Sequence, residues 1–307
     1  MQFKINVKIN VKEFIPTKIL PRCGSYKELT TLEEGDTLVL SSIRCRQVIL
    51  PNRIYLSADD FVAIGLYLAE GTTYFNLDRK YNHDGEVSFV NSHPKCINIF
   101  CNLLTKFNVN VNKLKWKVGL NINYKDSTAQ QTIINYWINE VGLDKTNLRP
   151  TWLYYSGKIG SRITSNTGRM GCLHLFYTST IFRNYFLSFI NNLFEDAIKT
   201  KSKEKLALIL KGLFAGDGCV SYSAKFKREQ VEFLCTDLVL LEKIRKSLEI
   251  LGLKSIRETW PESTKTHTKA LRIYNRHDFL VLSDYDVPNL LDYKKQNFQK
   301  ILGTFEV

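Results

Sequence analysis

The chain has 307 residues, 44% of them hydrophobic, 12% aromatic and 24% charged, which supplies a sizeable core and excludes a disordered tail, a collagen and a coiled coil. Lys and Arg outnumber Asp and Glu by 43 to 30; the excess runs +4 over residues 1–55, +4 over 56–200 and +5 over 201–307, so a polyanion touched along the whole length is expected. There is no apolar run of membrane-spanning length and no apolar signal core after Met1, so no membrane partner and no secretion are expected. The seven cysteines form no C-x-x-C pair and the five histidines do not cluster with them, which argues against a zinc finger and for reduced thiols inside a cell.

In chain order, Phe3, Ile5, Val7, Ile9 and Val11 alternate with Lys4, Asn6, Lys8, Asn10 and Lys12, a half-buried strand with a lysine-rich outer face. It opens a β-rich extension over residues 1–55, with further strands expected around Val39, Ile43 and Val48. A helix is predicted over Ala58–Ala69, with Ser57 and Asp60 as an S-x-x-D capping box. A hairpin follows, then an amphipathic helix over Pro94–Phe107, a strand near 113–123, an inserted stretch at 126–171 holding a helix over Thr128–Val141, and a helix near Ile181–Ala197. The next helix, Lys203–Gly216, leads to a second hairpin, a helix over Leu238–Leu251 with Asp237 as N-cap, two strands, and short helices near His277–Leu282 and Leu290–Leu302.

The two halves repeat each other. Phe61-Val-Ala-Ile-Gly-Leu-Tyr-Leu-Ala-Glu-Gly71 parallels Leu208-Ile-Leu-Lys-Gly-Leu-Phe-Ala-Gly-Asp-Gly218 at an offset of 147. Val87–Ser92 parallels Val231–Thr236 and Phe107–Val109 parallels Leu251–Leu253, both at 144, and Phe176–Thr178 parallels Ile273–Asn275 at 97. The expected fold is α+β: an internal pseudo-two-fold duplication of αββαββα units, with two saddle-like antiparallel sheets on a two-helix interface. Residues 56–200 form the first repeat and 201–307 the second, closed by a C-terminal helix.

Gly65 and Ala69, like Gly212 and Gly216, are spaced i, i+4, so each helix offers a small-residue face on which another backbone can approach. Both helices are apolar nearly all round, hence central. Each ends in a carboxylate, Glu70 and Asp217, where the helix dipole disfavours negative charge. A cation between the two ends would relieve that cost. Carboxylates with the Ala69 and Gly216 carbonyls are hard oxygen donors suited to Mg²⁺ or Mn²⁺, and two acids with a divalent ion are what phosphodiester hydrolysis needs.

Ala63–Gly71 and Leu210–Gly218 resemble the two motifs of LAGLIDADG homing endonucleases in their single-chain, two-motif form, over roughly residues 56–302. The resemblance implies Glu70 and Asp217 as metal-binding catalytic acids. It also implies cleavage of both strands of a long, asymmetric double-stranded DNA site across the minor groove, by a monomer acting as a pseudo-dimer. An intron or intein origin follows as well. The sixth motif position, often Asp in the family, is Leu68 and Ala215 here. As polar helpers near the metals the matching regions offer Asn91, Ser92, Lys95 and Arg276, with no lysine at both equivalent positions.

The DNA-contacting surface can be read from strand alternation. Lys113, Lys115, Lys117, Asn121 and Asn123 share one face of a strand whose other face is Leu114, Trp116, Val118, Leu120 and Ile122. Tyr74, Asn76 and Lys80, with Arg79 at the turn, serve the first hairpin. Ser221, Ser223 and Lys225 serve the second, followed by Lys227, Arg228, Arg257 and Arg272. The reading is a metal-dependent, site-specific DNA endonuclease. The alternative is an intron RNA maturase or a non-cleaving DNA-binding regulator on the same scaffold. The richness in Asn, Lys, Ile, Tyr and Phe suggests an AT-rich coding context, in the cytoplasm of an archaeon or bacterium or in an organelle.

Overall fold

A computed structural model describes residues 3–19, 26–72, 85–121, 127–150, 152–154, 170–223, 228–259 and 268–305. The N-terminal part contributes β1 (Asn6–Asn10), β2 (Lys18–Ile19), β3 (Lys27–Glu28), β4 (Thr30–Glu34), β5 (Thr37–Ser41), β6 (Val48–Pro51) and β7 (Arg53–Ser57). Next come α1 (Ala58–Glu70), β8 (Glu86–Asn91), α2 (Pro94–Thr105), β9 (Lys115–Asn121), α3 (Ser127–Val141), β10 (Trp152–Tyr154), β11 (Cys172–Thr178) and α4 (Thr180–Lys199). The last part holds α5 (Lys203–Asp217), β12 (Gly218–Ser223), β13 (Arg228–Cys235), α6 (Leu238–Leu251), β14 (Ile256–Thr259), β15 (Lys269–Ile273), α7 (Arg276–Asp284) and α8 (Asp292–Gly303). The fold is mixed helix and largely antiparallel sheet; against the expectation of wholly antiparallel sheets, β10 pairs parallel with β9. No helix among the described residues is long and apolar enough to cross a membrane.

Two compact units are formed, one of residues 1–7, 56–69 and 190–307, the other of residues 8–55 and 70–189. This division groups α1 with the second repeat. In that first unit α1 starts on its capping pair: the Asp60 carboxylate accepts from the Ser57 backbone N–H at 2.6 Å and from its hydroxyl at 2.8 Å. From α5 to α7 the order is αββαββα, and its sheet runs β12-β13-β15-β14. Phe214 of α5 packs edge-on against Phe233 of β13 with ring centroids 5.1 Å apart, which ties the helix to the sheet.

In the other unit the sheet runs β10-β9-β11-β8, and Phe107 meets Phe182, Tyr185, Phe186 and Phe189 edge to face beneath it. The extension adds a β4-β5-β6 sheet. In β1 the alternation is as expected, Ile9 and Val11 being buried and the lysines exposed, although a 3₁₀ turn replaces the strand from Val11. Ile43, expected in a strand, is 75% exposed in the stretch between β5 and β6.

The strand pairings repeat between the sheets. Phe89 of β8 faces Leu175 of β11, and Phe233 of β13 faces Leu271 of β15. Gly71 bridges Phe89, and Gly218 faces Phe233. These registers carry the offsets 147 and 144 of the sequence and set the third at 96, one less than the sequence match. The helices α2 and α6 also end alike: Asn108 (φ 61°) and Gly252 (φ 112°) take the left-handed conformation, and the N–H groups of Val109 and Leu253 return to the carbonyls of Leu104 and Leu248. α3 and β10 stand between β9 and β11; among the described residues no helix stands between β14 and β15.

Candidate metal centre and nucleic-acid interface

The helices α1 and α5 touch backbone to backbone. A Cβ on Gly65 would lie 1.9 Å from the Ile209 carbonyl oxygen and 2.8 Å from the Leu213 nitrogen. A Cβ on Gly212 would lie 2.0 Å from the Val62 carbonyl oxygen and 2.7 Å from the Leu66 nitrogen. The contact is therefore reciprocal, each glycine seated against the turn that holds the other. No other residue type fits either position without moving a helix.

Each acid stands five residues past its crossing glycine, about 7.5 Å of helix rise. Glu70 is half-buried at the end of α1. Its charge, together with burial, raises the pKa of the Cys172 thiol, burial being the larger cause. At the other end Asp217 reaches solvent, yet desolvation by its neighbours raises its carboxyl to about 6, with Lys294 pulling the other way. Beside it Cys235 is pushed up to about 11, chiefly by burial. Gly218 follows because a Cβ there would meet the Phe214 carbonyl oxygen at 2.4 Å and its ring at 2.3 Å.

One residue of this end was not among the expected ones. Lys294 of α8 is 4% exposed, and its ammonium donates to the carbonyls of Phe214 at 2.7 Å, Ala215 at 2.8 Å and Gly216 at 3.3 Å. It also lies 5.3 Å from the centre of the Phe214 ring. The signal in sequence was a lysine on the apolar stripe of Phe298 and Ile301, four and seven positions ahead of them. As a test of metal fit, the two ends differ. Glu70 and the Ala69 carbonyl end a helix as hard oxygen donors, whereas at α5 the Gly216 carbonyl already serves an ammonium. Among the described residues no three His, Cys, Asp or Glu side chains stand together as a metal-binding group.

The helper residues are placed as follows. Asn91 is 6% exposed and its side-chain oxygen accepts from the His93 N–H at 2.8 Å, a turn leading into α2. Ser92 is half-buried, and Lys95 is exposed in the first turn of α2. Arg276 is exposed at the start of α7 with its guanidinium 5.6 Å from the centre of the Phe305 ring.

On β9 the alternation is as read: Trp116 and Val118 have no exposed surface, Lys115 is exposed and Lys117 half-buried. Lys113 is a correction. It ends a 3₁₀ turn, Val111–Lys113, because Asn110 caps that turn through the Asn112 N–H, so the strand begins only at Lys115. Lys117 faces His174 across the sheet and lies 5.4 Å from the Phe176 ring. Arg149 stacks 4.5 Å from the same ring and pairs with the buried Glu86 at 3.0 Å. Burial and the Lys117 charge hold the His174 imidazole down at about 4.

In the second sheet Glu232, Arg272 and Arg257 lie side by side on β13, β15 and β14. Arg272 is ion-paired with the buried Glu232, and Arg257 is exposed over the Tyr274 ring at 5.7 Å. Ser221 and Ser223 are half-buried on β12. Tyr74, Asn76, Arg79, Lys80, Asn123, Lys225 and Lys227 lie outside the described residues, as do the side chains of Asn121 and Arg228.

Against this geometry stands one family match: residues 204–284, which run from α5 to the end of α7, fit the model of the LAGLIDADG-like domain. That stretch resembles a LAGLIDADG-like domain. Solved structures similar to it include mesophilic variants of the homing endonuclease I-DmoI, at 14% identity, covering 74% of this chain and 93% of that one, with a TM-score of 0.38. I-DmoI in complex with DNA and Ca is 13% identical, with coverage of 78% and 96% and a TM-score of 0.40. Full-length DUF199/WhiA from Thermatoga maritima is 11% identical, with coverage of 82% and 62% and a TM-score of 0.40. Likeness at this level says nothing of activity. No curated protein matches the chain.

Proposed function

We propose that this protein binds a long, asymmetric stretch of double-stranded DNA as a monomer and hydrolyses one phosphodiester on each strand, with Glu70 and Asp217 as the acids of the reaction. The observation that carries the reading is the crossing of α1 and α5. A LAGLIDADG-like domain begins on a helix that meets its repeat partner backbone to backbone, and each helix ends in a carboxylate the same distance past the contact. A pure binder has no evident use for an acid at a helix end, where the dipole opposes it.

Glu70 with the Ala69 carbonyl would hold a divalent ion, Mg²⁺ or Mn²⁺. When bound, such an ion supplies hydroxide near neutral pH and offsets charge on the phosphate. The chain's own part is to fix the two acids on rigid helices and to hold the duplex on its sheets. Lys115 and Arg257 are exposed and suited to phosphate contact. Arg149 and Arg272 are committed to Glu86 and Glu232, and position the faces rather than bind.

The second reading is a non-cleaving regulator or an RNA maturase. It draws on the ammonium at the Asp217 end, which a cleaving centre with two equal metal sites would not carry. The test starts from duplexes selected for binding out of a random pool and incubated with Mg²⁺. A single double-strand cut, absent in Glu70→Gln, supports the nuclease. Tight binding with intact strands supports the regulator, and preference for a structured RNA supports the maturase.

A further inference from the structure

The two repeats end alike in sequence but not in surroundings. Among the described residues α8 has no counterpart after α4, which runs into α5 through residues 200–202. In the second repeat α8 sends a side chain back to the end of the motif helix. That side chain is a lysine, buried, and aimed at the last carbonyls of α5. Helix-end carbonyls carry partial negative charge, and a buried ammonium on three of them is a fitted cation rather than a solvated one. A divalent ion beside Asp217 would need such oxygens at roughly 2.0–2.1 Å and would stand close to a fixed positive charge.

We propose that Lys294 is a built-in cation of the second repeat, occupying the α5 helix end so that no divalent ion binds beside Asp217 while the lysine is in place. The inference rests on the reading of Glu70 and Asp217 as the motif acids, and it makes their two ends unequal: the divalent ion belongs to Glu70, the ammonium to Asp217. It deepens the proposed function by assigning the metal requirement to one repeat.

The test uses the full chain and Mn²⁺ alone, without DNA, read by paramagnetic broadening of backbone amides. In the wild-type protein the Gly216, Asp217 and Gly218 amides stay sharp. In Lys294→Gln and Lys294→Met they broaden at a Mn²⁺ concentration at least tenfold lower, and adding Asp217→Asn to either variant restores the sharp signals. Lys294→Arg keeps the wild-type pattern. Broadening of those amides in the wild-type protein at the same Mn²⁺ as in Lys294→Gln overturns the proposal, and this arm needs no variant to fold beyond the glutamine one. If both neutral variants fold by circular dichroism and neither gains Mn²⁺, Lys294 is a structural cap only. A separate arm follows Gly71 and Thr72: broadening there in the wild type, lost in Glu70→Gln, tests metal binding at the first repeat. Its failure removes that part of the functional reading without touching the Lys294 result.

Discussion

Asp278 has no exposed surface and accepts from the backbone N–H groups of Lys254 and Ser255 at 2.8 Å each, and from the Asn275 amide at 2.9 Å. Its carboxylate thus joins the loop after α6 to the start of α7. Asp278→Ala leaves those buried donors unpaired and is expected to lower stability by roughly 2–4 kcal/mol in urea unfolding. A loss under 0.5 kcal/mol would mean water replaces it. His174 offers a second check at this scale. Its folded pKa of about 4 lies below the ordinary 6.5, so the folded state prefers the neutral ring. That preference contributes fully above pH 6.5 and is lost as pH falls towards 4, a change of about 3 kcal/mol. His174→Gln should flatten the fall in the urea midpoint between pH 7 and 4.5; an unchanged slope would assign acid lability to other groups. Residues such as Asp237 and Ser57 were legible because their partners lie within four positions. Lys294 and Glu86 were not, because their partners come from about 80 and 63 residues away.

The helices α1 and α5 were legible as elements because each is apolar on every side and ends in small residue, acid, glycine. Their contact was legible too, from the i, i+4 small residues, and Gly65 and Gly212 each make it. Gly65→Ala or Gly212→Ala drives a methyl into a carbonyl and is expected to cost roughly 1–3 kcal/mol or more, with valine at either position abolishing folding. Thermal unfolding measures it, and an alanine variant as stable as the parent would contradict the backbone contact. The strand faces of β9 were readable by period two, whereas the position of Lys113 was decided by a local Asn cap that alternation does not report. What sequence periodicity could not reach was which basic groups are already paired, since ion pairs such as Arg272 with Glu232 depend on strand register.

For the molecule as a whole, +13 is the charge available before pairing. DNA affinity is expected to fall steeply with salt, by about 10³-fold or more between 50 and 200 mM if six or more phosphates are neutralised. A flat response would deny the sheets a role in binding. Lys115→Glu should weaken binding about tenfold without changing the thermal midpoint, since the side chain is exposed on a strand whose opposite face is the core. The same charge would serve a regulator, so affinity alone does not separate the readings. The direct measurement is strand scission in Mg²⁺ on the selected duplex, comparing the wild-type protein with Glu70→Gln and Asp217→Asn. A double-strand cut that both variants lose, while each binds the duplex within about threefold of the parent, is the predicted result. Cutting by either variant at the parent's rate, or a parent that binds and never cuts, would contradict it.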